Sequence, residues 1–237
     1  MDQNGIYLNI IQNQNSISIF EPFAGSAGYS LNHSNKQVVL YDNNDNIWAL
    51  WEWLINYASY NPCAISEIPV NIKEGTDIRI LGLSTGQELL LKHWQRTNNF
   101  GNCWTISPWG NKPGQWTVNT RVRVSEEVEC IRHWKLANQS LEYTQNNITY
   151  FIDPPYQYNY QYGCKYFDWK WLGESIKKIP LPHQIICCEA RCPKTGKIPD
   201  WAPFVDFRKS VTSRRKSTQN HHSKEMIYLN EETGIPT

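Results

Sequence analysis

The sequence predicts an α/β fold, and three observations carry that reading. Apolar runs of strand length recur at Ser16 to Phe20, Gln37 to Tyr41, Thr149 to Ile152 and Gln184 to Cys188. Helix-periodic segments separate them, which argues strand–helix alternation. Three of the runs stop at an acid or a turn: Asp42, Asp153-Pro154-Pro155 and Glu189.

The elements follow in order. Residues 1–15 are polar and rich in Asn and Gln, with Ile6, Leu8, Ile10 and Ile11 hinting at a short element. SISIF then alternates apolar and polar residues, as a strand does. It leads into EPFAGSAGYSL, with Gly25 and Gly28 three apart, and on to the strand Gln37 to Tyr41. Strand, glycine turn, helix, strand and acidic end read as a βαβ unit. Asp45 is a good helix N-cap. Behind it, Ile47, Trp51, Leu54 and Ala58 fall on one helical face. Ser84 and Gln87 form a capping box before Leu89, Leu90, Leu91 and Trp94. A long loop, Thr97 to Trp116, carries Trp104, Trp109 and Trp116; loops of this length are often functional. Val122 to Trp134 reads as a helix. Asp168 caps another, with Trp171, Leu172, Ser175, Ile176 and Ile179 on its buried side. Phe204 to Asn230 reads as strand, basic loop, strand.

Composition removes several classes of function. Aromatics reach 13% with 11 Trp and 13 Tyr, which argues against disorder. Lys+Arg is 23 and Asp+Glu is 22, so a wholly basic nucleic-acid coat is excluded while a local basic patch is not. The most apolar stretch, Ile47 to Ile55, contains Glu52 and is too short to span a bilayer. MDQNG is not a secretory start. The seven cysteines show no C-x-x-C spacing and fit reduced, cytoplasmic thiols better than a disulfide framework or zinc site. The adjacent His221 and His222 fit an exposed polar loop better than a metal site.

Asp153-Pro154-Pro155-Tyr156 is the sharpest chemical signal. Two consecutive prolines end a strand abruptly, because neither donates to the ladder. In an open α/β sheet the carboxyl ends of strands face the ligand crevice. A planar base with an exocyclic amino group offers two N–H donors and a π-face. The Asp153 carboxylate can accept one N–H and the Pro154 carbonyl the other. Tyr156 can stack on the ring, worth ~1–3 kcal/mol. Such acceptors push lone-pair density onto a poor amino nucleophile by positioning and electrostatics.

The second constellation is Glu21 to Gly28. Glycines let backbone approach a cofactor closely, and Asp42 can accept both hydroxyls of a ribose. The spacing is G-x-x-G, not the dinucleotide G-x-G-x-x-G, so a cofactor with an adenosine part and no pyrophosphate fits better.

Together, EPFAGSAGYSL and FIDPPYQ resemble the DNA adenine-N6 methyltransferases, and more narrowly the small phage and prophage members of the DNA adenine methylase family. The likeness runs from Ile19 to Asn230 and includes CIRHWKL (Cys130 to Leu136), IICCEA (Ile185 to Ala190), DWAPF (Asp200 to Phe204) and SKEMIYLN (Ser223 to Asn230). It implies a Rossmann-like fold with a seven-stranded, mostly parallel sheet and S-adenosylmethionine as cofactor, with no metal. Residues 1–60 and 120–237 would form the catalytic domain and 61–119 an inserted target-recognition segment. Glu21, Phe23, Ala24, Gly25, Ser26, Gly28, Asp42 and Asn43 would line the cofactor pocket. Asp153 would stand between cofactor and target, with Pro154, Pro155 and Tyr156 completing the base pocket. The adenine would be flipped out of double-stranded DNA.

The chain departs from the family in two places. Residues 1–18 have no Lys and only Gly5, and Ala137-Asn-Gln-Ser140 has no acid, leaving Gln139 to meet the adenine ring. Phe207 to Lys224 holds six cations, Arg208, Lys209, Arg214, Arg215, Lys216 and Lys224, and no acid. Six phosphate contacts would give a salt slope of about −5. Tyr158, Tyr160 and Tyr162 alternate with polar residues, as a lid over the base or as core. The expectation is a site-specific DNA adenine-N6 methyltransferase, monomeric or with a partner subunit. The alternatives are a cytosine-N4 or RNA methyltransferase and a weak or inactive DNA-binding subunit of the same fold.

Overall fold

The computed structural model describes residues 18–95, 103–108, 110, 112, 115–138, 147–155, 167–179, 183–190, 209–214 and 224–229. The chain divides into two compact units: residues 1–42 with 137–237, and residues 43–136.

The first unit holds β1 (Ser18–Glu21), α1 (Gly28–Leu31) and β2 (Gln37–Leu40). The second holds α2 (Asp45–Trp53), α3 (Cys63–Ser66), α4 (Thr85–Trp94), α5 (Val118–Glu127) and the two-residue β3 (Lys135–Leu136). The chain then returns to the first unit with β4 (Ile148–Ile152), α6 (Trp169–Lys177), β5 (Gln184–Ala190), β6 (Lys209–Arg214) and β7 (Lys224–Leu229).

In the first unit the strands lie in the order β2-β1-β4-β5-β7-β6. β1 pairs in parallel with both β2 and β4, and β4 pairs in parallel with β5. β7 runs antiparallel to its neighbours β5 and β6. The protein is therefore α/β with a parallel sheet. Its parallel strands are nearly continuous apolar runs because both of their faces are covered. Ile148, Tyr150 and Ile152 share one face with Phe20, Val39, Ile185 and Cys187, and Leu172 and Ile176 of α6 pack there. Phe151 points to the opposite face, where Tyr29 of α1 stacks on it at 4.3 Å with rings 2° from parallel.

Asp168 caps α6 as predicted, accepting the Trp171 N–H at 2.9 Å. Trp171 itself is 40% exposed, contrary to the sequence reading. The register that turns Leu172 and Ile176 onto the sheet rotates the preceding residue about 100° toward solvent.

In the second unit, Ile47, Trp51, Leu54 and Ala58 are all buried, as their spacing predicts. The helix relaxes into a π-turn over Leu54–Ala58. Its cap is Asn44 rather than Asp45: the Asn44 side chain accepts the Asn46 N–H, and Asp45 becomes the first helical residue. The predicted capping box is present, with Ser84 and Gln87 exchanging hydrogen bonds. The helix expected over Val122 to Trp134 starts earlier, at Val118, because Thr117 caps it. It ends earlier too, in a 3-10 turn over Val128–Ile131. Trp116, from the long loop, is buried and donates its indole N–H to Pro69 O at 3.1 Å. The compact unit is wider than the 61–119 insertion read from the sequence, because α2 packs on α4 and α3 on α5. Among the described residues no helix is long and apolar enough to cross a membrane.

Candidate functional site

The site in the first unit begins with strand order. The chain leaves β1 for β2 on one side and later returns to β4 on the other. Phe20 stands opposite both Val39 and Tyr150, so the carboxyl ends of β1, β2 and β4 lie along one sheet edge. A reversal of strand order of this kind opens a crevice at that edge.

The loop after β1 is fixed by main-chain bonds. Glu21 O accepts the Tyr41 N–H, and Tyr41 O accepts the Ala24 N–H, both at 2.9 Å. Gly25 takes φ +47° and Ala27 φ +48°, both in the left-handed region. Gly25 suits that conformation. Ala27 holds it at a cost, and strain of this kind concentrates at functional sites. Gly28 opens α1 without positive φ, and among the described residues a Cβ there would meet only Ser26 Oγ, at 3.8 Å. Gly25 is thus the conformationally required member of the glycine pair. Among the described residues, a Cβ on Gly25 would meet nothing within 4 Å.

Three acids end the strands. Asp42, half-buried, accepts the Gly25 N–H on Oδ2 at 2.9 Å, tying the loop to the end of β2. A carboxylate has two oxygens and room for several donors. Glu21 is buried, and its Oε1 accepts the Ser30 N–H at 2.6 Å. Burial pushes its carboxyl up to about 8; the Ser30 hydrogen bonds oppose this and the Asp153 charge adds to it. Asp153 follows β4 directly and is half-buried, with Pro154 buried and Pro155 half-buried. The β1–β4 pairing makes the acids that end these strands neighbours, and the Asp153 charge is felt at Glu21.

The remaining predicted cofactor residues are distributed around this loop. Phe23 is half-buried and meets Phe167 edge-on at 5.6 Å. Ala24 is buried and Ser26 exposed. Asn43 is an exposed residue that opens the second unit. Tyr156, Tyr158, Tyr160, Tyr162 and Gln139 lie outside the described residues.

Among the predicted nucleic-acid contacts, Lys209 begins β6, Arg214 ends it and Lys224 begins β7. The register sets Arg214 directly opposite Lys224. Arg208, Arg215, Lys216, His221 and His222 lie outside the described residues.

Sequence reasoning missed Ser30, Phe167 and His183. His183 Nδ1 accepts the Ile148 N–H at 3.2 Å, seating the start of β4. Burial keeps that imidazole below its ordinary value, as an accepting nitrogen requires. An apolar-run search has no term for such partners, although Phe167 beside the Asp168 cap was an available signal. No family model and no curated protein matches the chain.

Proposed function

We propose that the protein is an S-adenosylmethionine-dependent methyltransferase acting on adenine N6 in double-stranded DNA. The observation that carries this is the parallel pairing of β1 with both β2 and β4, which sets Gly25, Asp42 and Asp153 along one sheet edge. The finer fold reading, a Rossmann-like methyltransferase, belongs to the same proposal, without the seven strands expected from the sequence: among the described residues the sheet of the first unit has six. Helices on both faces and the β2-β1-β4-β5 parallel run support it.

The donor set fits the cofactor. Gly25 would give close backbone approach, and the half-buried Asp42 carboxylate at the end of β2 would receive the ribose hydroxyls. No phosphate cradle of the G-x-G-x-x-G kind is built. When bound, the cofactor supplies an electrophilic methyl group on a positively charged sulfur. Asp153 and the Pro154 carbonyl would accept the two N–H bonds of the target amine and aim its lone pair. Pro154 and Pro155 stiffen the backbone that presents them. Asp153 would also hold negative charge beside the nitrogen as it gains positive character. The β6–β7 cations would contact phosphates on either side of the extruded base.

Calorimetric titration with S-adenosylmethionine tests the cofactor half of the reading. Saturable one-to-one heat is expected. Asp42→Ala should weaken it by roughly 10- to 100-fold, because a charged hydrogen bond is worth about 1.5–3 kcal/mol. No heat and no thermal shift in the wild type would favour a non-catalytic DNA-binding module.

A further inference from the structure

We infer that Glu21 is a positioning residue: its carboxyl group ties the end of β1 to the first turn of α1 through Ser30 and so sets the path of the loop over residues 22–27. The functional part of this inference rests on reading that loop as the cofactor loop.

Two kinds of acid stand at this sheet edge. Asp42 and Asp153 are half-buried, whereas Glu21 is only 2% exposed. Its Oε1 receives the N–H of Ser30, nine residues on and within the first turn of α1. The first N–H groups of a helix have no partner inside it. Ala27, the cap residue of α1, makes no side-chain cap bond, so Glu21 supplies from the strand what the cap does not. The same residue's carbonyl accepts the Tyr41 N–H, so Glu21 grips β2 with its backbone and α1 with its side chain. Between those two grips lie the left-handed Gly25 and Ala27.

The surroundings favour a neutral acid there. From the end of β4, the Asp153 charge opposes a second negative charge on Glu21. From the end of β2, Asp42 is turned to Gly25 N–H. From α1, Ser30 donates. His33, one turn on, packs its ring on Tyr29, and burial and then Lys36 lower its affinity for a proton. Burial, with Asp153, pushes Glu21 up to about 8 from 4.5. In the unfolded chain the group ionises near its ordinary value, while the folded chain holds the proton to about pH 8. Its contribution to stability is therefore full below pH 4.5 and lost as pH rises to about 8.

The test compares wild type, Glu21→Gln and Glu21→Ala by melting from pH 5 to 9, amide exchange at Ser30 and S-adenosylmethionine titration at pH 7. Glu21→Gln keeps a neutral acceptor of similar shape. It is expected to retain cofactor affinity within about twofold and to keep the Ser30 amide protected. It should melt above wild type at pH 8, with the gap closing toward pH 5. Glu21→Ala is expected to lose Ser30 protection and at least about tenfold in affinity. If Glu21→Ala does not fold, Glu21→Gln carries the test alone. An unprotected Ser30 amide in Glu21→Gln, or loss of affinity in Glu21→Gln with protection intact, would overturn the inference; the latter would make Glu21 a direct, charged ligand. A wild type that binds no S-adenosylmethionine defeats the cofactor reading, and the melting and exchange data still decide the Ser30 tie.

Discussion

Asp153→Ala is expected to lower methyl transfer by about 10³-fold while leaving the fold and nucleic-acid binding in place. The loss follows from what the carboxylate would do in the transition state. It would accept an N–H and stabilise positive charge as it develops on nitrogen, and removing one such preorganised group costs about 10²–10³ in rate. The fold should survive because Asp153 follows β4 and is half-buried, whereas the strand is held by Ile148, Tyr150 and Ile152 in the core. A melting-temperature shift of about 2 °C or less is expected. Asp153→Asn keeps an acceptor but loses charge, so it should fall between the two. Labelled-methyl incorporation into DNA, read beside circular dichroism and gel-shift binding, checks all three. Full activity in Asp153→Ala would remove the mechanism.

Gly86→Val is expected to destabilise the second unit by about 3 kcal/mol. A Cβ at Gly86 would stand 2.0 Å from Trp53 Cγ and 2.2 Å from Cδ2. Cγ is the root of the indole, so the ring cannot swing aside without changing its first side-chain torsion. Such a rotation would also break its contact with Tyr57, at 6.3 Å between ring centres. For a unit of this size each kcal/mol moves the melting temperature by about 4–8 °C. Thermal unfolding followed at the helical circular dichroism band measures the effect. Adding Trp53→Ala should recover part of the loss, since the two changes act on one contact. An unchanged melting temperature in Gly86→Val would show that Trp53 does not rest on that glycine.

Much of this architecture is legible in the sequence where the determining interaction is local. The capping box of Ser84 and Gln87 spans three residues, and the Asp168 cap reaches Trp171. The buried strands announce themselves because a two-sided core leaves mostly apolar positions. What escaped reading depends on distant partners. Ser30 holds Glu21 across a loop, and Asp42 reaches Gly25 over 17 residues. Asn44 displaced Asp45 as a cap by one position, a distinction that propensity does not draw, because both residues cap well. Trp171 looks like a core residue by composition, and only the placement of Leu172 and Ile176 against the sheet turns it outward. Ala27 carries a left-handed backbone that residue type alone would assign to glycine.

The most direct measurement of the central claim is base-resolved sequencing of genomic DNA from a methylation-free host expressing the protein. The account predicts N6-methyladenine at one recurring sequence with the wild type and a far smaller modified fraction with Asp153→Ala. Unmodified adenine throughout, with folded wild-type protein present in the cells, would contradict it.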